Sequence, residues 1–224
     1  MYTLDDLIFH RGRHGYVAQR GNIILVMENS VASIRSALDE GATMVEFDAR
    51  INPRGSDHFP IIAHDPGTFG AHPTIVDFLD VISARCDVNI EIKDPAIWER
   101  VMEIVSWYID WGGWRPEQFV ISAFHHPTAL AIKARYPHIC VGAIMDAIPD
   151  VRYLDILKDG RIDNLHMEYM NADMDTQCGS PFMQRAKELA MHVWVWTVND
   201  RAVAQRVCDW GAERIFTDKP HLFA

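Results

Sequence analysis

The feature that most constrains this chain is a regular alternation of short β-rich runs with longer amphipathic stretches. Runs of about four to eight residues rich in Val, Ile and Phe are typical of strands, whereas apolar residues at helical spacing indicate a helix. This alternation favours a parallel α/β fold, because each parallel strand needs a long crossover, usually a helix, to reach the next one.

Eight runs are predicted to be strands: Asp6–His10, Thr43–Asp48, Asp87–Lys93, Gln118–Ala123, Ile139–Ile144, Asn164–Glu168, His192–Val198 and Arg214–Thr217. Seven helices are predicted: Ser30–Glu40, Ile75–Ala84, Ala96–Trp111, Pro127–Arg135, Val151–Leu157, Ser180–Ala190 and Ala202–Trp210. Eight strands alternating with helices in 224 residues predict a compact (β/α)8 or TIM barrel of the α/β class. We expect residues 1–224 to form a single catalytic domain.

One further β-like run, Pro60–His64, does not fit the alternation. Eleven residues, Pro53 among them, separate it from Asp48, and a parallel crossover needs about a dozen residues or more. We therefore predict that Ile61–His64 is the return arm of a β-hairpin after strand two. This arm would bring His64 back to the rim of the barrel.

Composition narrows the choice of partners and compartment. A formal net charge of −10 excludes a nucleic-acid partner, which needs clustered Lys and Arg, but it permits a small phosphorylated substrate. The N-terminus lacks the pattern of a signal peptide, and no apolar run approaches the roughly 18 residues of a membrane span. We expect a cytoplasmic protein without stable membrane insertion, and the sequence leaves its oligomeric state open. The cysteines are scattered without metal-site spacing: Cys86, Cys140, Cys178 and Cys208.

Acidic residues end two of the predicted strands, at the edge where barrel enzymes carry their active sites. Glu46 and Asp48 share one face of strand two, and Glu91 and Lys93 share one face of strand three, because side chains two apart on a strand point the same way. Three carboxylates at one mouth repel each other unless a cation neutralises them. Such oxygen ligands suit a hard divalent ion, Mg²⁺ or Ca²⁺.

Other polar and aromatic residues lie at the same predicted edge. His10 ends strand one and, taken without its neighbours, is better interpreted as a structural histidine of the core. His166 and Glu168 share a face of strand six, where they could form a structural pair. Trp196 could pack in the core or form a wall for a substrate. Asp218, two residues before a proline, is interpreted as structural.

The order of the motifs is more specific than any one of them. The motifs are H-R-G at 10–12, E-N-S at 28–30, G-A-x-x-x-E-x-D at 41–48, H-D at 64–65, N-I-E-I-K at 89–93, W-T-V-N at 196–199 and T-D-K-P at 217–220. This series resembles the glycerophosphodiester phosphodiesterase family of TIM-barrel enzymes. The resemblance covers nearly the whole chain.

The resemblance implies a role for each matching residue. Glu46, Asp48 and Glu91 would bind the divalent metal, and His10 and His64 would be the acid–base pair. A substrate hydroxyl would attack the phosphorus to give a cyclic phosphate, which water then opens, while the two histidines exchange roles between the steps. The predicted substrate- and phosphate-binding residues are Arg11, Lys93, Glu28, His166, Glu168 and Trp196.

The chain departs from the family pattern in three places. Fifteen residues, 13–27, form a long rim loop that could act as a lid or specificity element. The stretch from Asp65 to Asp87 is too short for the small subdomain that the family often inserts there. The tip of the predicted hairpin, Asn52–Asp57, lacks the family's usual turn. These changes affect the parts that frame the substrate, whereas the catalytic residues are retained.

Two other functions remain open at this point. A phospholipase-D-like relative with the same barrel would release an alcohol and retain a cyclic phosphate. Such a lipid-active protein needs a bulky apolar surface, and in this sequence only Trp107, Trp111 and Trp114 hint at one. A non-catalytic barrel that binds a phosphorylated metabolite is disfavoured, because binding alone would not require both His10 and His64. The small phosphodiester substrate therefore remains the preferred partner.

Overall fold

The computed structural model describes residues 2–19, 21–53, 59–66 and 71–223. The strands are β1 (Leu7–Phe9), β2 (Gly15–Gln19), β3 (Asn22–Val26), β4 (Met44–Ile51), β5 (Pro60–Ile62), β6 (Asp87–Ile92), β7 (Phe119–Ala123), β8 (Cys140–Met145), β9 (Asn164–Glu168), β10 (His192–Trp196) and β11 (Arg214–Thr217). The α-helices are α1 (Val31–Asp39), α2 (Ile75–Ile82), α3 (Trp98–Trp111), α4 (His126–Arg135), α5 (Tyr153–Asp159), α6 (Met170–Gln177), α7 (Pro181–Glu188) and α8 (Arg201–Trp210). Short 3₁₀ turns cover Leu4–Asp6, Pro95–Ile97, Pro116–Gln118 and Pro220–Leu222.

Eight strands close into a parallel barrel in the order β1, β4, β6, β7, β8, β9, β10 and β11. Closure occurs at β1, where Phe9 pairs with Val45 of β4 on one side and with Thr217 of β11 on the other. Helices connect most of the successive strands. The predicted TIM barrel is therefore confirmed.

The predicted and observed elements agree closely at their ends. Each of the eight predicted strands and seven predicted helices corresponds to an observed element whose ends differ by at most three residues. The prediction missed α6, which follows β9 at the rim of the barrel. Its residues Asn171, Asp173 and Thr176 are weak helix formers, and the segment lacks an apolar stripe.

The hairpin predicted after strand two is present. β5 runs antiparallel to β4, with Ala49 opposite Ile62, and the return arm ends at His64. Arg50 Nε donates a hydrogen bond of 2.6 Å to the carbonyl oxygen of His64, which fixes the end of this arm beside β4. Residues 54–57 of the predicted tip lie outside the described residues.

Residues 13–27, for which the sequence analysis predicted a long rim loop but no strands, carry regular structure. Most of them form an antiparallel hairpin of β2 and β3, which we call the inserted hairpin. Val17 and Val26 on one face are buried, whereas Tyr16 and Ile23 on the other face are each 76% exposed. The hairpin thus packs on the protein through Val17 and Val26, whereas residues 22–25 of β3 are all exposed.

The interior of the barrel is filled by side chains from its strands. An apolar cluster lies inside the ring, separate from the larger core between strands and helices; its members are Ile8, Met44, Val120, Trp194 and Phe216. The mouth above this cluster is thereby left to polar residues. Among the described helices, none has both the length and the apolar character needed to cross a bilayer.

A buried histidine occupies the barrel interior beside this cluster. The ring of His166 on β9 stacks on Trp194 of β10 with centroids 5.0 Å apart and planes inclined by 12°. A Cβ atom at Gly142 of β8 would lie 2.7 Å from the imidazole on its other side. Glycine is therefore needed at position 142 because the His166 ring takes the space of a side chain.

We predict that Gly142→Ala lowers the free energy of unfolding by about 1–3 kcal/mol, the usual cost of overpacking a core. In a His166→Ala background the same change should cost less than half as much, because the clashing ring is gone. Urea unfolding of the two single variants and the double variant measures both values. Equal costs in the two backgrounds would contradict the assigned contact.

Candidate active site

Three carboxylates meet at the mouth of the barrel. Glu46 and Asp48 lie two positions apart on β4, and the parallel register places Asp48 opposite Glu91 of β6. One ligand oxygen from each residue lies within 4.8 Å of the other two, and all three residues are buried. The strands thus bring together the acidic residues that the sequence analysis grouped.

Two cations lie against this cluster. Lys93 Nζ is 2.6 Å from Glu91 Oε1 and 3.1 Å from Asp48 Oδ1, and Arg11 Nε is 3.2 Å from Asp48 Oδ2. Although burial opposes it, Lys93 and Arg11 hold the pKa of Asp48 below its ordinary value. Asp48 is therefore the member of the cluster whose charged form is favoured by its neighbours.

The other two carboxylates are electrostatically strained. Burial, followed by repulsion from Asp48 and Glu91, raises the pKa of Glu46 well above its ordinary value. Burial likewise raises the pKa of Glu91 to about 7. Within the described part of the chain, the buried oxygen Glu46 Oε1 has no hydrogen-bond partner. A divalent cation among these oxygens would relieve the repulsion and occupy the free oxygen, so the residues fit a hard-metal site.

The H-R-G motif places a backbone donor beside the acidic cluster. Arg11 adopts a left-handed conformation with φ of 56°, and its N–H donates a 2.9 Å hydrogen bond to Glu46 Oε2. Gly12 follows with φ of 78°, and a Cβ atom there would lie 2.6 Å from Ser33 Oγ. The glycine lets the turn pack directly on α1, which holds the Arg11 amide in place.

The E-N-S motif supports the cluster from the other side. Glu28 Oε1 accepts a 2.8 Å hydrogen bond from Arg11 Nη1, and Asn29 Nδ2 donates one of 2.7 Å to Asp48 Oδ2. The sequence analysis did not assign Asn29 to the site. Its position next to Ser30, which caps α1 through the Ser33 N–H, made it resemble part of a helix cap.

Both predicted catalytic histidines line one cavity. His10 Nε2 lies 3.8 Å from Glu46 Oε2, and His10 Nδ1 lies 2.7 Å from Asp218 Oδ1. His64 Nδ1 lies 2.8 Å from Asp65 Oδ1, so each imidazole has a carboxylate partner at Nδ1. His64 is the more exposed of the two histidines. These partners leave the Nε2 atoms of both rings available for proton transfer.

The cavity has a volume of about 110 Å³ and a mixed polar and aromatic wall. Phe124 and Trp196 form the aromatic side, with ring centroids 5.7 Å apart, and Lys93 Nζ lies 5.7 Å from the Phe124 centroid. The lining residues are His10, Arg11, Glu46, His64, Asn89, Glu91, Lys93, Phe124, Ile144, His166, Trp196, Thr197 and Phe216.

The predicted substrate contacts separate into two groups. Arg11, Lys93, His166 and Trp196 line the cavity, whereas Glu28 and Glu168 are not among its described lining residues. Glu168 accepts a 2.8 Å hydrogen bond from the Met170 N–H at the start of α6. His166 lies at the floor, where burial lowers its pKa to about 3, so its ring is neutral near pH 7.

Solved phosphodiesterases share this architecture. A glycerophosphodiester phosphodiesterase from Parabacteroides distasonis superimposes with a TM-score of 0.76 at 19% identity, covering 97% of this chain and 94% of the other. A phosphodiesterase from Oleispira antarctica, solved with the product sn-glycerol-3-phosphate, gives 0.73 at 20% identity and the same coverage. The fold is that of the barrel phosphodiesterases.

Sequence comparison leads to the same class. The model of the glycerophosphoryl diester phosphodiesterase family matches residues 10–76 and 70–222, and the chain belongs to this family. A glycerophosphodiester phosphodiesterase from Caldanaerobacter subterraneus subsp. tengcongensis is 23% identical over 243 residues, covering 91% of this chain and 93% of the relative. The resemblance seen in the motifs is therefore confirmed, and the protein is a phosphodiesterase of this kind.

We predict that His166 makes stability depend on pH. Its folded pKa is about 3 and its unfolded pKa is about 6.5, so between these values only the unfolded chain binds the proton. Stability is fully present above about pH 6.5 and falls by about 1.4 kcal/mol per pH unit below it.

Urea unfolding of wild type and His166→Gln between pH 7.5 and pH 5 measures this effect. The free-energy difference between the two proteins should change with the sign and slope given above, because glutamine does not titrate. If the unfolding free energies of the two proteins change equally with pH, His166 is not a buried neutral group.

Proposed function

We propose that the protein hydrolyses a glycerophosphodiester, or a similar small polyol phosphodiester, to a phosphomonoester and an alcohol. The observation that carries this proposal is one cavity lined by two members of the carboxylate cluster, Glu46 and Glu91, together with two cationic side chains and two carboxylate-paired histidines. The sn-glycerol-3-phosphate bound to the Oleispira antarctica phosphodiesterase supports a glycerol-containing product for this chain.

The proposed metal is Mg²⁺ or Ca²⁺, held by Glu46, Asp48 and Glu91. When bound, the ion supplies positive charge that neutralises the phosphodiester and polarises its phosphoryl oxygens. Arg11 and Lys93 add further positive charge on the same side of the cavity, where they would bind the non-bridging phosphate oxygens.

His10 and His64 provide the proton transfers. One imidazole takes the proton of the substrate hydroxyl next to the phosphate while the hydroxyl oxygen attacks phosphorus and forms a cyclic phosphate. The other imidazole gives a proton to the oxygen of the alcohol that leaves. In the second step the two rings exchange these roles, while water opens the cyclic phosphate. The Nδ1 partners Asp218 and Asp65 leave Nε2 of each ring to carry out these transfers.

We predict that His10→Ala and His64→Ala each lower kcat by at least about 10²-fold, the usual scale for the loss of an acid–base group. His192→Ala is the matched control: His192 is exposed at the start of β10, at the other end of the barrel, and pairs with Glu213. The assay uses glycerophosphocholine as a test glycerophosphodiester and follows the phosphorus products by ³¹P NMR.

Three outcomes of this assay are informative. The expected result is that phosphomonoester formation is lost in His10→Ala and His64→Ala and is retained in His192→Ala. Accumulation of a cyclic phosphate as the final product would instead favour the phospholipase-D-like lyase. A wild-type rate in His10→Ala or His64→Ala would remove that residue from the mechanism.

We predict that chelation abolishes turnover and that Mg²⁺ or Ca²⁺ restores it. The melting temperature should also rise when the ion is added, because the ion binds only the folded site and relieves repulsion among the three carboxylates. The Glu46→Gln variant should lose most of this rise, whereas Glu188→Gln on the outer helix α7 should retain it. Full activity in excess EDTA, or an equal rise in the Glu46 variant, would exclude the proposed site.

A further inference from the structure

The closing strand pair of the barrel brings a distant carboxylate to His10. Because β11 pairs with β1, Thr217 lies opposite Phe9, and the backbone N–H of His10 donates to the carbonyl of Thr217 at 3.1 Å. The residues that follow the two strands, His10 and Asp218, are therefore neighbours. Their contact links positions 208 residues apart in the chain.

Three side chains, the His10 ring among them, hold the Asp218 carboxylate. His10 Nδ1 lies 2.7 Å and His14 Nε2 lies 3.2 Å from Asp218 Oδ1, and Asn199 Nδ2 donates to Asp218 Oδ2 at 2.7 Å. Asn199 Oδ1 in turn accepts from the Asp218 N–H at 2.8 Å. Although burial opposes it, the hydrogen bonds from His10 and His14 hold the pKa of Asp218 below its ordinary value, so the carboxylate is an ionised acceptor.

An ionised acceptor determines which nitrogen of His10 carries a proton. A carboxylate can only accept, so His10 Nδ1 must be the protonated nitrogen in that contact. Nε2 then faces the Glu46 side of the cavity, where it is free to take or give a proton. The neutral ring would otherwise favour a proton on Nε2, the wrong arrangement for a base.

His14 belongs to the inserted segment 13–27, which departs from the family pattern. Glu28, the residue directly after this segment, binds Arg11, which contacts Asp48. The residues that flank the inserted hairpin, His14 before β2 and Glu28 after β3, therefore both contact residues at the active site.

We propose that Asp218 is a positioning residue that fixes the orientation and tautomer of His10, and that His14, which directly precedes the inserted hairpin, holds Asp218 in place for this task. The role in turnover rests on the proposed function, whereas the tautomer does not. His10 is the catalytic residue, and Asp218 and His14 act through it. The inserted hairpin is thus a structural part of the active site as well as an addition to the rim.

The first test measures the tautomer directly. ¹⁵N-histidine-labelled protein in Mg²⁺ buffer gives the protonation of each ring nitrogen by two-bond ¹H–¹⁵N correlation, and the His10→Ala spectrum identifies the His10 signals. We expect a protonated Nδ1 in wild type and a shift toward protonated Nε2 in Asp218→Ala. A wild-type ring with a bare Nδ1, or an unchanged tautomer in Asp218→Ala, would overturn the proposal.

The second test uses turnover of glycerophosphocholine in a double-mutant cycle. Asp218→Ala should lower kcat about 10-fold or more with KM changed less than about 2-fold, and His14→Gln should have a smaller effect of the same kind. In the His10→Ala background, Asp218→Ala should change kcat by less than about 2-fold, because its effect passes through His10. Equal losses in both backgrounds would show a general structural role and contradict the proposal.

Two further measurements keep the test decisive. If Asp218→Ala does not fold by circular dichroism, Asp218→Asn, which preserves the size of the side chain, is taken through the same spectrum and cycle with the same expectations. If wild type lacks phosphodiesterase activity, the proposed function fails, and the tautomer measurement alone decides whether Asp218 orients His10.

Discussion

The repulsion among three buried carboxylates is the interaction on which the site depends. Glu46, Asp48 and Glu91 are brought together by the register of β4 and β6. Lys93 and Arg11 offset part of this charge, yet the pKa of Glu46 stays raised and that of Glu91 reaches about 7. A core that only had to be stable would not bury this arrangement, because unpaired buried charge is costly. The proposed cation would complete the charge balance of this cluster.

Neighbouring residues hold the carboxylate cluster in place through hydrogen bonds. Asn29 holds one oxygen of Asp48, and the Arg11 amide holds one oxygen of Glu46. The Arg11 amide is available because Gly12 lets the turn pack against Ser33. Each of these contacts reaches the carboxylates from the loop after β1 or from the start of α1. The residues after the first strand and before the first helix therefore hold in place carboxylates that come from the next two barrel strands, which are the proposed metal ligands.

Much of this architecture could be predicted from the sequence, because its signals are local. The alternation of β-rich and helical periods gave the barrel, and the short, proline-containing spacing before Pro60 gave the return arm that carries His64. The inserted hairpin was missed although Gly21 separates two β-prone runs, which is itself a hairpin signal. Helix α6 was missed because weak helix formers and the lack of an apolar stripe leave it without a helical pattern in the sequence.

Contacts between distant residues were harder to predict. Asp218 was interpreted as structural because its partner, His10, lies at the opposite end of the chain. The information was nevertheless present: a closed barrel must pair its last strand with its first, so residues following both strands meet. His14 could not be placed in this way, because its position depends on how the inserted hairpin packs. The pH sensitivity of His166 likewise depends on Trp194 and Gly142, neighbours that only the fold brings together.

The central claim is that Glu46, Asp48 and Glu91 bind one divalent cation at the mouth of the barrel. Anomalous diffraction from crystals soaked in Mn²⁺, a substitute for Mg²⁺, tests this claim most directly. The account predicts one dominant peak within about 2.0–2.6 Å of an oxygen from each of the three residues, the bonding range of hard cations. A well-diffracting crystal with no peak there, or with its dominant peak elsewhere, would contradict the account.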